Sequence, residues 1–279
     1  MNITESIAVF WFRRDLRLFD NTALFKALTS GFKVLPVFIF DRKILQNLNP
    51  DDKRISFIYQ VIQKLNEKLQ LHKTSVQVYF GTPDDVFEQL LSTYDINRVY
   101  SNHDYEPYAI ERDLQIKKKL AEKGVLFQTF KDQVIFEKDE ITKISGEPYT
   151  VYTPYSHKWI EKLNQDNYLH NWNSENYLFN FYQTEKKMEV SFSELGFNET
   201  KDVFQSFKLD QNAIGTYDKT RDFPALDSTS KVSVHLRFGT VSVRQMVAQA
   251  LEYNSTWLGE LIWREFFMQI LWHFPYVVH

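Results

Sequence analysis

Charged and aromatic side chains recur at helical spacing near the carboxyl end of the chain. At 3.6 residues per turn, one face of a helix would hold Trp257, Glu260, Trp263, Arg264 and Phe267. The remaining sides are mostly apolar, so the helix should be buried. Burying a carboxylate and a guanidinium costs free energy unless they pair with each other or bind another group. One interpretation is a core helix with an internal Glu260–Arg264 ion pair at i, i+4. The other is a pocket wall that offers rings for stacking and a carboxylate for hydrogen bonding.

Hydroxyl side chains that precede and open a short predicted helix at residues 232–238 form a second candidate site. They are Ser228, Thr229, Ser230 and Ser233. Hydroxyls together with the free N–H groups of a helix N-terminus can bind an anion. An ordinary N-cap explains the same residues and is the favoured interpretation from the pattern alone.

The third stretch, WFRRDLRLFDN at residues 11–21, directly follows the apolar part of the first predicted strand. Its three arginines and two aspartates must pair or face solvent, because isolated buried charges are costly. We expect an ion-pair network that closes the turn, with Asp20 or Asn21 capping the next helix.

Several familiar kinds of site are missing from the sequence. There is no cysteine, so disulfides and thiolate metal sites are excluded and a reducing, cytoplasmic location is expected. The glycines have neither GxGxxG nor Walker spacing, HExxH is absent, and no histidine pair suggests a metal site. No apolar run approaches the ~20 residues of a membrane span, and the first residues do not resemble a signal peptide. A net charge of −3 gives no hint of nucleic-acid binding, although a local basic groove is compatible with it.

Strand and helix patterns alternate regularly in the first part of the chain. The predicted strands are apolar runs at residues 7–12, 33–40, 75–80, 98–101 and 125–130. The helical patterns between them cover residues 21–30, 55–71, 83–94 and 109–123. This alternation predicts right-handed crossovers and an α/β, doubly wound, mainly parallel five-stranded sheet. Ligands of such sheets lie beyond the carboxyl ends of the strands, where the strand order reverses.

The rest of the chain is predicted to hold a connector and an incomplete helical domain. Prolines and polar residues replace the regular pattern after residue 131, which favours a long ordered connector. Further helices are predicted at residues 211–222, 232–238, 242–253 and 257–272. They carry more apolar surface than they can bury on one another, so we expect the chain to be a fragment. The predicted divisions are an α/β domain at 1–131, the connector at 132–207, and the start of an all-helical domain at 208–279.

Together these stretches resemble the cryptochrome/photolyase family of flavin-containing blue-light proteins, and most of all its cyclobutane pyrimidine dimer (CPD) photolyases. Residues 11–21 resemble the WFRxDLRxxDN signature, and GEPYTVYTPY at 146–155 resembles the stretch GxPYxVFTP. RDFP at 221–224 and TSKVS at 229–233 resemble the flavin-binding run RDFP…TSRLS. WLGELIWREFF at 257–267 resembles WxxELxWREFY. The motifs occur in the family's order and with its spacing.

The resemblance implies that FAD is held in the helical domain rather than on the sheet. The positions that match FAD-binding residues are Tyr217, Thr229, Ser230, Lys231, Val232, Ser233, Trp257 and Arg264. The run 229–233 would cradle the pyrophosphate. Glu260 matches the acid that hydrogen-bonds a thymine carbonyl of a flipped-out dimer, and Trp263 matches the indole on which the dimer stacks. Both are therefore expected to be catalytic, and Arg221 is expected to bind substrate with them.

The sequence also departs from the family pattern. Ser228 stands where glycine is usual, and Lys231 where arginine is usual. Residues 105–113 lack the Asn-Glu pair of folate-antenna photolyases, so methenyltetrahydrofolate, a deazaflavin or no antenna chromophore all remain open. Family members continue well beyond position 279.

The resulting prediction is blue-light-dependent repair. Reduced FAD would donate an electron to a cyclobutane pyrimidine dimer, which splits and returns the electron. The predicted partner is damaged DNA with the dimer flipped out. No membrane partner is expected, and the intact protein is expected to be a monomer. One alternative is a cryptochrome-like photosensor without repair activity. Another is an α/β remnant that binds no flavin, and the 279-residue chain alone is expected to bind FAD weakly or not at all.

Overall fold

The computed structural model describes residues 5–184 and 190–278 of the chain. Residues 1–4, 185–189 and 279 lie outside the described residues. The first range bears on the expectation of no signal peptide, and the second belongs to the predicted connector. Among the helices of the described ranges, none is both long and apolar enough to cross a membrane. The same ranges contain no group of three or more His, Asp or Glu side chains arranged to hold a metal ion.

Five parallel strands form one sheet, as the sequence pattern predicted. They are β1 Ile7–Phe12, β2 Lys33–Asp41, β3 Gln77–Gly81, β4 Ile96–Asn102 and β5 Leu126–Phe130. Their spatial order is β3-β2-β1-β4-β5, so the order reverses between β1 and β4. The charged stretch that follows β1 therefore lies at the position where a doubly wound sheet usually binds a ligand.

The central strand β1 is buried along its whole length because both faces of the sheet are covered. Alternation along the strand divides its side chains between two apolar clusters. Ala8, Phe10 and Phe12 pack with side chains of the first and third helices, whereas Ile7, Val9 and Trp11 pack with those of the fourth and fifth. This arrangement explains why β1 reads as a continuous apolar run.

Helices connect the strands and make up most of the rest of the described chain. The α-helices are α1 Thr22–Leu28, α2 Arg42–Leu45, α3 Lys53–Leu69, α4 Pro83–Thr93, α5 Pro107–Glu122, α6 Tyr152–Leu163, α7 Gln211–Gly215, α8 Tyr217–Thr220, α9 Ser233–Phe238, α10 Val243–Tyr253 and α11 Ser255–His273. Short 3-10 helices occur at Gln70–His72, Lys138–Glu140, Ser174–Asn180, Phe192–Leu195 and Pro275–Val278. Asn21 caps α1, as predicted, by accepting a hydrogen bond from Leu24 N at 3.1 Å.

A third apolar cluster joins α6 to the helices of the carboxyl-terminal part. The helix predicted at 211–222 is instead two short helices, α7 and α8, with Thr216 between them. Thr216 has φ −105° and ψ 9°, outside helical geometry, and it follows Gly215, so two residues of low helix propensity stand together at the break. The division into domains at 131 and 207 stays a prediction.

The helical part is joined to the sheet through the stretch that follows β1. Phe238 O accepts a hydrogen bond from Leu16 N at 3.0 Å, and Arg17 donates to Gly239 O at 3.1 Å and to Asp132 at 2.6 Å. The predicted ion-pair network thus exists, but its arginines reach acids elsewhere in the chain rather than those of the same turn. Arg13 pairs with Asp113 at 2.6 Å, for example.

Candidate functional site

The orientation of α11 is fixed at its first turn. Asn254 caps the helix, because its side chain accepts hydrogen bonds from Thr256 N at 3.0 Å and Trp257 N at 3.1 Å. The buried side of α11 then holds Trp257, Leu258, Leu261, Ile262, Glu265, Phe266 and Gln269. Glu260, Trp263 and Phe267 lie on the other side, where Phe267 is 61% exposed. The helix is therefore not a core helix buried all round.

Glu260 pairs with Arg221, and not with Arg264 as one interpretation of the sequence proposed. Arg221 Nη1 lies 2.7 Å from Glu260 Oε1, and more than a third of each side chain is exposed (38% and 36%). The guanidinium also lies over the ring of Tyr217, 5.4 Å from its centroid. Partial burial raises the pKa of Tyr217, and the charge of Glu260 adds to this effect, so the phenol stays neutral. Three predicted site residues from α8, its C-cap and α11 thus meet here.

Trp263 is stacked on an aromatic side chain, Tyr152, that no sequence motif marked as a site residue. The rings of Trp263 and Tyr152 are nearly parallel, at 5°, with centroids 3.6 Å apart. The Tyr152 hydroxyl donates a hydrogen bond to Gly259 O at 2.9 Å. Burial and the nearby charge of Glu260 both raise the pKa of Tyr152. The only sequence signal for this residue was its place in the stretch GEPYTVYTPY.

Arg264 is directed away from this surface, towards the segment that follows the sheet. Its Nη1 donates to Gln133 O at 2.7 Å, and its Nη2 donates to Leu236 O at 3.4 Å. Burial lowers the pKa of Arg264 to about 10, although the charge of Glu265 opposes the shift. The guanidinium therefore binds backbone carbonyls between the two parts of the chain, and its role as an FAD contact stays a prediction.

Glu265 is a buried carboxylate that was not among the predicted site residues. Its Oε1 accepts a hydrogen bond from Ile135 N at 2.5 Å, and its Oε2 accepts from Phe136 N at 3.2 Å and Trp159 Nε1 at 2.7 Å. Burial outweighs these three donors and raises the pKa of Glu265 to about 7. A carboxylate on the apolar side of a predicted helix was the signal that it must bind something there.

The hydroxyl run does not cap α9, so the favoured N-cap interpretation is wrong. The N-cap residue is Val232, whose side chain makes no cap hydrogen bond. Thr229 and Ser233 are exposed, Ser228 and Ser230 are half-buried, and the exposed Lys231 pairs with Asp227 at 2.7 Å. The run therefore offers hydroxyls and an amine beside an uncapped helix start.

Two further residues predicted to contact FAD lie inside the helical core. Trp257 is 3% exposed and Val232 is 7% exposed, and both belong to the cluster that joins α6, α10 and α11. They do not share the surface on which Tyr217, Arg221 and Glu260 meet. Contacts of Trp257 and Val232 with a cofactor stay predictions.

A cavity of about 180 Å³ lies beside the carboxyl ends of β1 and β2. Its apolar walls include Trp11, Phe38, Phe40 and Ile55, and its charged lining includes Arg14, Arg54, Asp104 and Arg112. Tyr108 also lines it and donates a hydrogen bond from its hydroxyl to Asp41 at 2.5 Å. The cavity occupies the place where ligands of doubly wound sheets bind.

Comparison with curated proteins identifies relatives along nearly the whole chain. The deoxyribodipyrimidine photo-lyase of Synechococcus sp. is 30% identical over 96% of this chain and 60% of its own length. A 31.6 kDa protein encoded in the atpI 5′ region of another Synechococcus strain is 29% identical over 92% of this chain and 98% of its own length. The chain thus spans about 60% of the photo-lyase that it matches.

Solved structures give the same result. A bacterial class III photolyase from Agrobacterium tumefaciens superposes with a TM-score of 0.81 at 25% identity, over 99% of this chain and 61% of its own. An archaeal photolyase from Sulfolobus tokodaii, solved with two FAD molecules, superposes with a TM-score of 0.71 at 25% identity, over 97% and 60%. The family model described as DNA photolyase matches residues 8–172, which is more than half of the chain. The chain therefore belongs to the DNA photolyase family.

Proposed function

We propose that the protein acts in light-dependent DNA repair of the photolyase type, with FAD as its cofactor and a cyclobutane pyrimidine dimer as its substrate. The observation that carries the proposal is the Glu260–Arg221 pair beside the ring of Tyr217, with Trp263 about one turn further along the outer side of α11. A carboxylate, a guanidinium and an aromatic ring within one small surface match the chemistry of a pyrimidine pair. The ring offers stacking, and the charged groups offer hydrogen bonds.

The substrate would reach this surface only when it is outside the duplex. Photolyases are among the enzymes that extrude their target base, and a damaged, poorly stacked pair costs least to extrude. Trp263 is half-buried and would take the pyrimidine rings by stacking, which contributes about 1–3 kcal/mol per base. Glu260 and Arg221 would then bind the exocyclic groups of the pyrimidines, Glu260 at a carbonyl. Damaged DNA is thus the proposed partner.

The residues near α9 are compatible with the phosphates of FAD. The start of α9 has no side-chain cap, and Thr229, Ser230, Lys231 and Ser233 surround it with hydroxyls and one amine. Such groups suit a pyrophosphate, which is an anion with several acceptor oxygens. When bound, FAD supplies light-driven electron transfer, while this chain's residues bind and orient the cofactor and the substrate. Tyr217 would border the flavin.

The cavity beside β1 and β2 is the proposed place for an antenna chromophore. Its aromatic walls suit a flat ring system, and its arginines suit an anionic substituent. The Sulfolobus tokodaii structure, whose second FAD was taken to imply a novel light-harvesting cofactor, supports the idea that a second chromophore can accompany this fold. Deazaflavin, methenyltetrahydrofolate and an empty cavity all remain compatible with these residues.

Repair of a defined lesion tests the proposal. The full-length protein, supplemented with reduced FAD, is mixed with an oligonucleotide that contains one thymine dimer and is illuminated with blue light. We expect loss of the dimer in the light, none in the dark, and none with FAD alone. Binding of FAD without repair would instead favour the cryptochrome-like photosensor. Absence of both FAD binding and repair would favour a flavin-free α/β protein.

A further inference from the structure

Tyr152 covers one face of the indole that the proposed function assigns to the substrate. Aromatic pairs in proteins usually have centroids about 4.5–7 Å apart in offset or edge-to-face geometry. Tyr152 and Trp263 are 3.6 Å apart at 5°, so their rings overlap closely. Phe267 also stacks on Trp263, with ring centroids 5.5 Å apart at 25°, so a pyrimidine can reach the indole only over the part that Tyr152 and Phe267 leave uncovered.

The hydroxyl of Tyr152 makes a second contact with α11, one residue before Glu260. It donates to Gly259 O at 2.9 Å. A Cβ at position 259 would lie 3.4 Å from the Tyr152 hydroxyl, which is an ordinary van der Waals distance. One side chain thus contacts Trp263 itself and the residue that precedes Glu260.

Tyr152 is itself held in place by the helix that it begins. In α6, Tyr155 packs on Phe266 with ring centroids 5.2 Å apart, and Trp159 Nε1 donates to Glu265 at 2.7 Å. Both of these α6 residues are buried, so α6 is fixed against the inner side of α11 along its length. A phenol at the first position of this helix has little freedom to leave the indole.

We propose that Tyr152 is a positioning residue for the substrate site: its ring sets the plane of the Trp263 indole and its hydroxyl sets the turn of α11 that carries Glu260. The proposal rests on the proposed function where it concerns DNA, but the positioning itself can be measured without DNA. Two variants separate the two contacts. Tyr152→Phe keeps the ring and removes the hydrogen bond, whereas Tyr152→Leu removes both.

The first measurement is fluorine NMR of the chain labelled with 5-fluorotryptophan. The sequence has six tryptophans, and Trp263→Phe identifies the Trp263 signal by its loss. We expect Tyr152→Leu to shift the Trp263 signal and broaden it, while the other tryptophan signals stay in place. Tyr152→Phe should leave the Trp263 signal near its wild-type position. A Trp263 signal that does not respond to Tyr152→Leu would overturn the proposal.

The second measurement is the affinity for oligonucleotides with and without a thymine dimer. We expect Tyr152→Leu to weaken binding of the dimer by about tenfold, the scale of one lost base–aromatic stack, and binding of undamaged DNA by much less. Tyr152→Phe should weaken dimer binding less than Tyr152→Leu does. Tyr253→Phe is the matched control, because it also removes a phenol oxygen, which accepts a hydrogen bond from Gln211 Nε2 at 2.8 Å at the end of α10.

The outcomes separate the two proposals. If Tyr152→Leu shifts the Trp263 signal but the wild-type chain does not prefer the dimer, the positioning holds and the proposed substrate is wrong. If the wild-type chain prefers the dimer and all Tyr152 variants keep that preference, the positioning role is wrong and the proposed function stands.

Discussion

Asp20 and Arg244 are separated by 224 residues in the chain and form a buried ion pair, with Asp20 Oδ1 2.9 Å from Arg244 Nη2. Arg244 also binds Asp132 at 2.9 Å, and Arg17 binds the other oxygen of Asp132 at 2.6 Å. Burial opposes the ionisation of Asp132, but the two guanidinium groups outweigh it and hold the pKa of Asp132 below its usual value. Buried ion pairs thus connect the stretch after β1 to α10.

Replacing Arg244 with methionine should destabilise the protein by about 3–5 kcal/mol. The change keeps much of the side-chain volume but leaves Asp20 and Asp132 with one guanidinium where there were two, and an uncompensated buried charge is costly. Urea unfolding of both proteins measures the difference. Lys64→Met is the control, since the Lys64–Glu67 pair is exposed and should contribute less than about 1 kcal/mol. Equal effects of the two substitutions would show that the buried ion pairs of Arg244 stabilise the protein no more than an exposed pair does.

Gly239→Ala should also destabilise the contact between the stretch after β1 and the helical part, in this case by a steric clash. Gly239 has φ +65°, and a Cβ there would lie 2.2 Å from Arg14 O and 2.5 Å from Asp15 Cα. Gly31 has φ +87° but nothing within 4 Å of its Cβ position, so Gly31→Ala isolates the conformational cost of about 1–2 kcal/mol. We expect Gly239→Ala to exceed that cost by at least about 2 kcal/mol in thermal unfolding, because backbone atoms must move. Similar melting temperatures for both variants would exclude a close approach at Gly239.

The sheet could be predicted from the sequence because its determinants are local. Each strand is a short apolar run, and the pattern between the runs is helical, so topology rules left few arrangements. Helix α6, within the predicted connector, was missed. Pro154 in its first turn was interpreted as a loop signal, although proline is tolerated there because the first N–H groups of a helix have no partner.

The environment of the site residues was harder to predict than their location. Glu260 and Arg264 have the spacing of an ion pair, yet Glu260 pairs with Arg221, which is 39 residues earlier in the chain. A single helix pattern cannot decide between partners on the same helix and partners that another segment brings close. The same limit hid Tyr152 and Glu265, because each acts through a contact between α11 and α6 that only the folded chain creates.

The stability of the protein should depend on the protonation of Glu265. Its pKa is raised by burial from 4.5 to about 7, so the folded state holds a proton that the unfolded state releases above about pH 4.5. Stability from this group is complete below that pH and is lost as the pH rises through about 7. The shift corresponds to about 3 kcal/mol. Unfolding in urea from pH 5 to pH 8 should show this decline in the wild type and not in Glu265→Gln.

The comparison uses the slope with pH rather than the absolute stability. The amide that Glu265→Gln introduces would face three N–H donors and cost stability at every pH. Glu252→Gln, at an exposed position of α10, is the control and should keep the wild-type slope. A parallel decline in wild type and Glu265→Gln would assign the pH dependence to other groups.

Glu260→Ala should lower the yield of light-driven dimer repair by about tenfold, the effect of losing one hydrogen bond to a charged group. FAD affinity should stay unchanged, because Glu260 is not among the positions predicted to contact FAD. Repair is measured by loss of a thymine dimer under blue light, and FAD affinity by flavin fluorescence titration. Glu252→Ala removes a carboxylate from the neighbouring helix α10 and should change neither quantity. An unchanged repair yield in Glu260→Ala would remove Glu260 from the substrate site, and a parallel loss of FAD affinity would assign it to the cofactor instead.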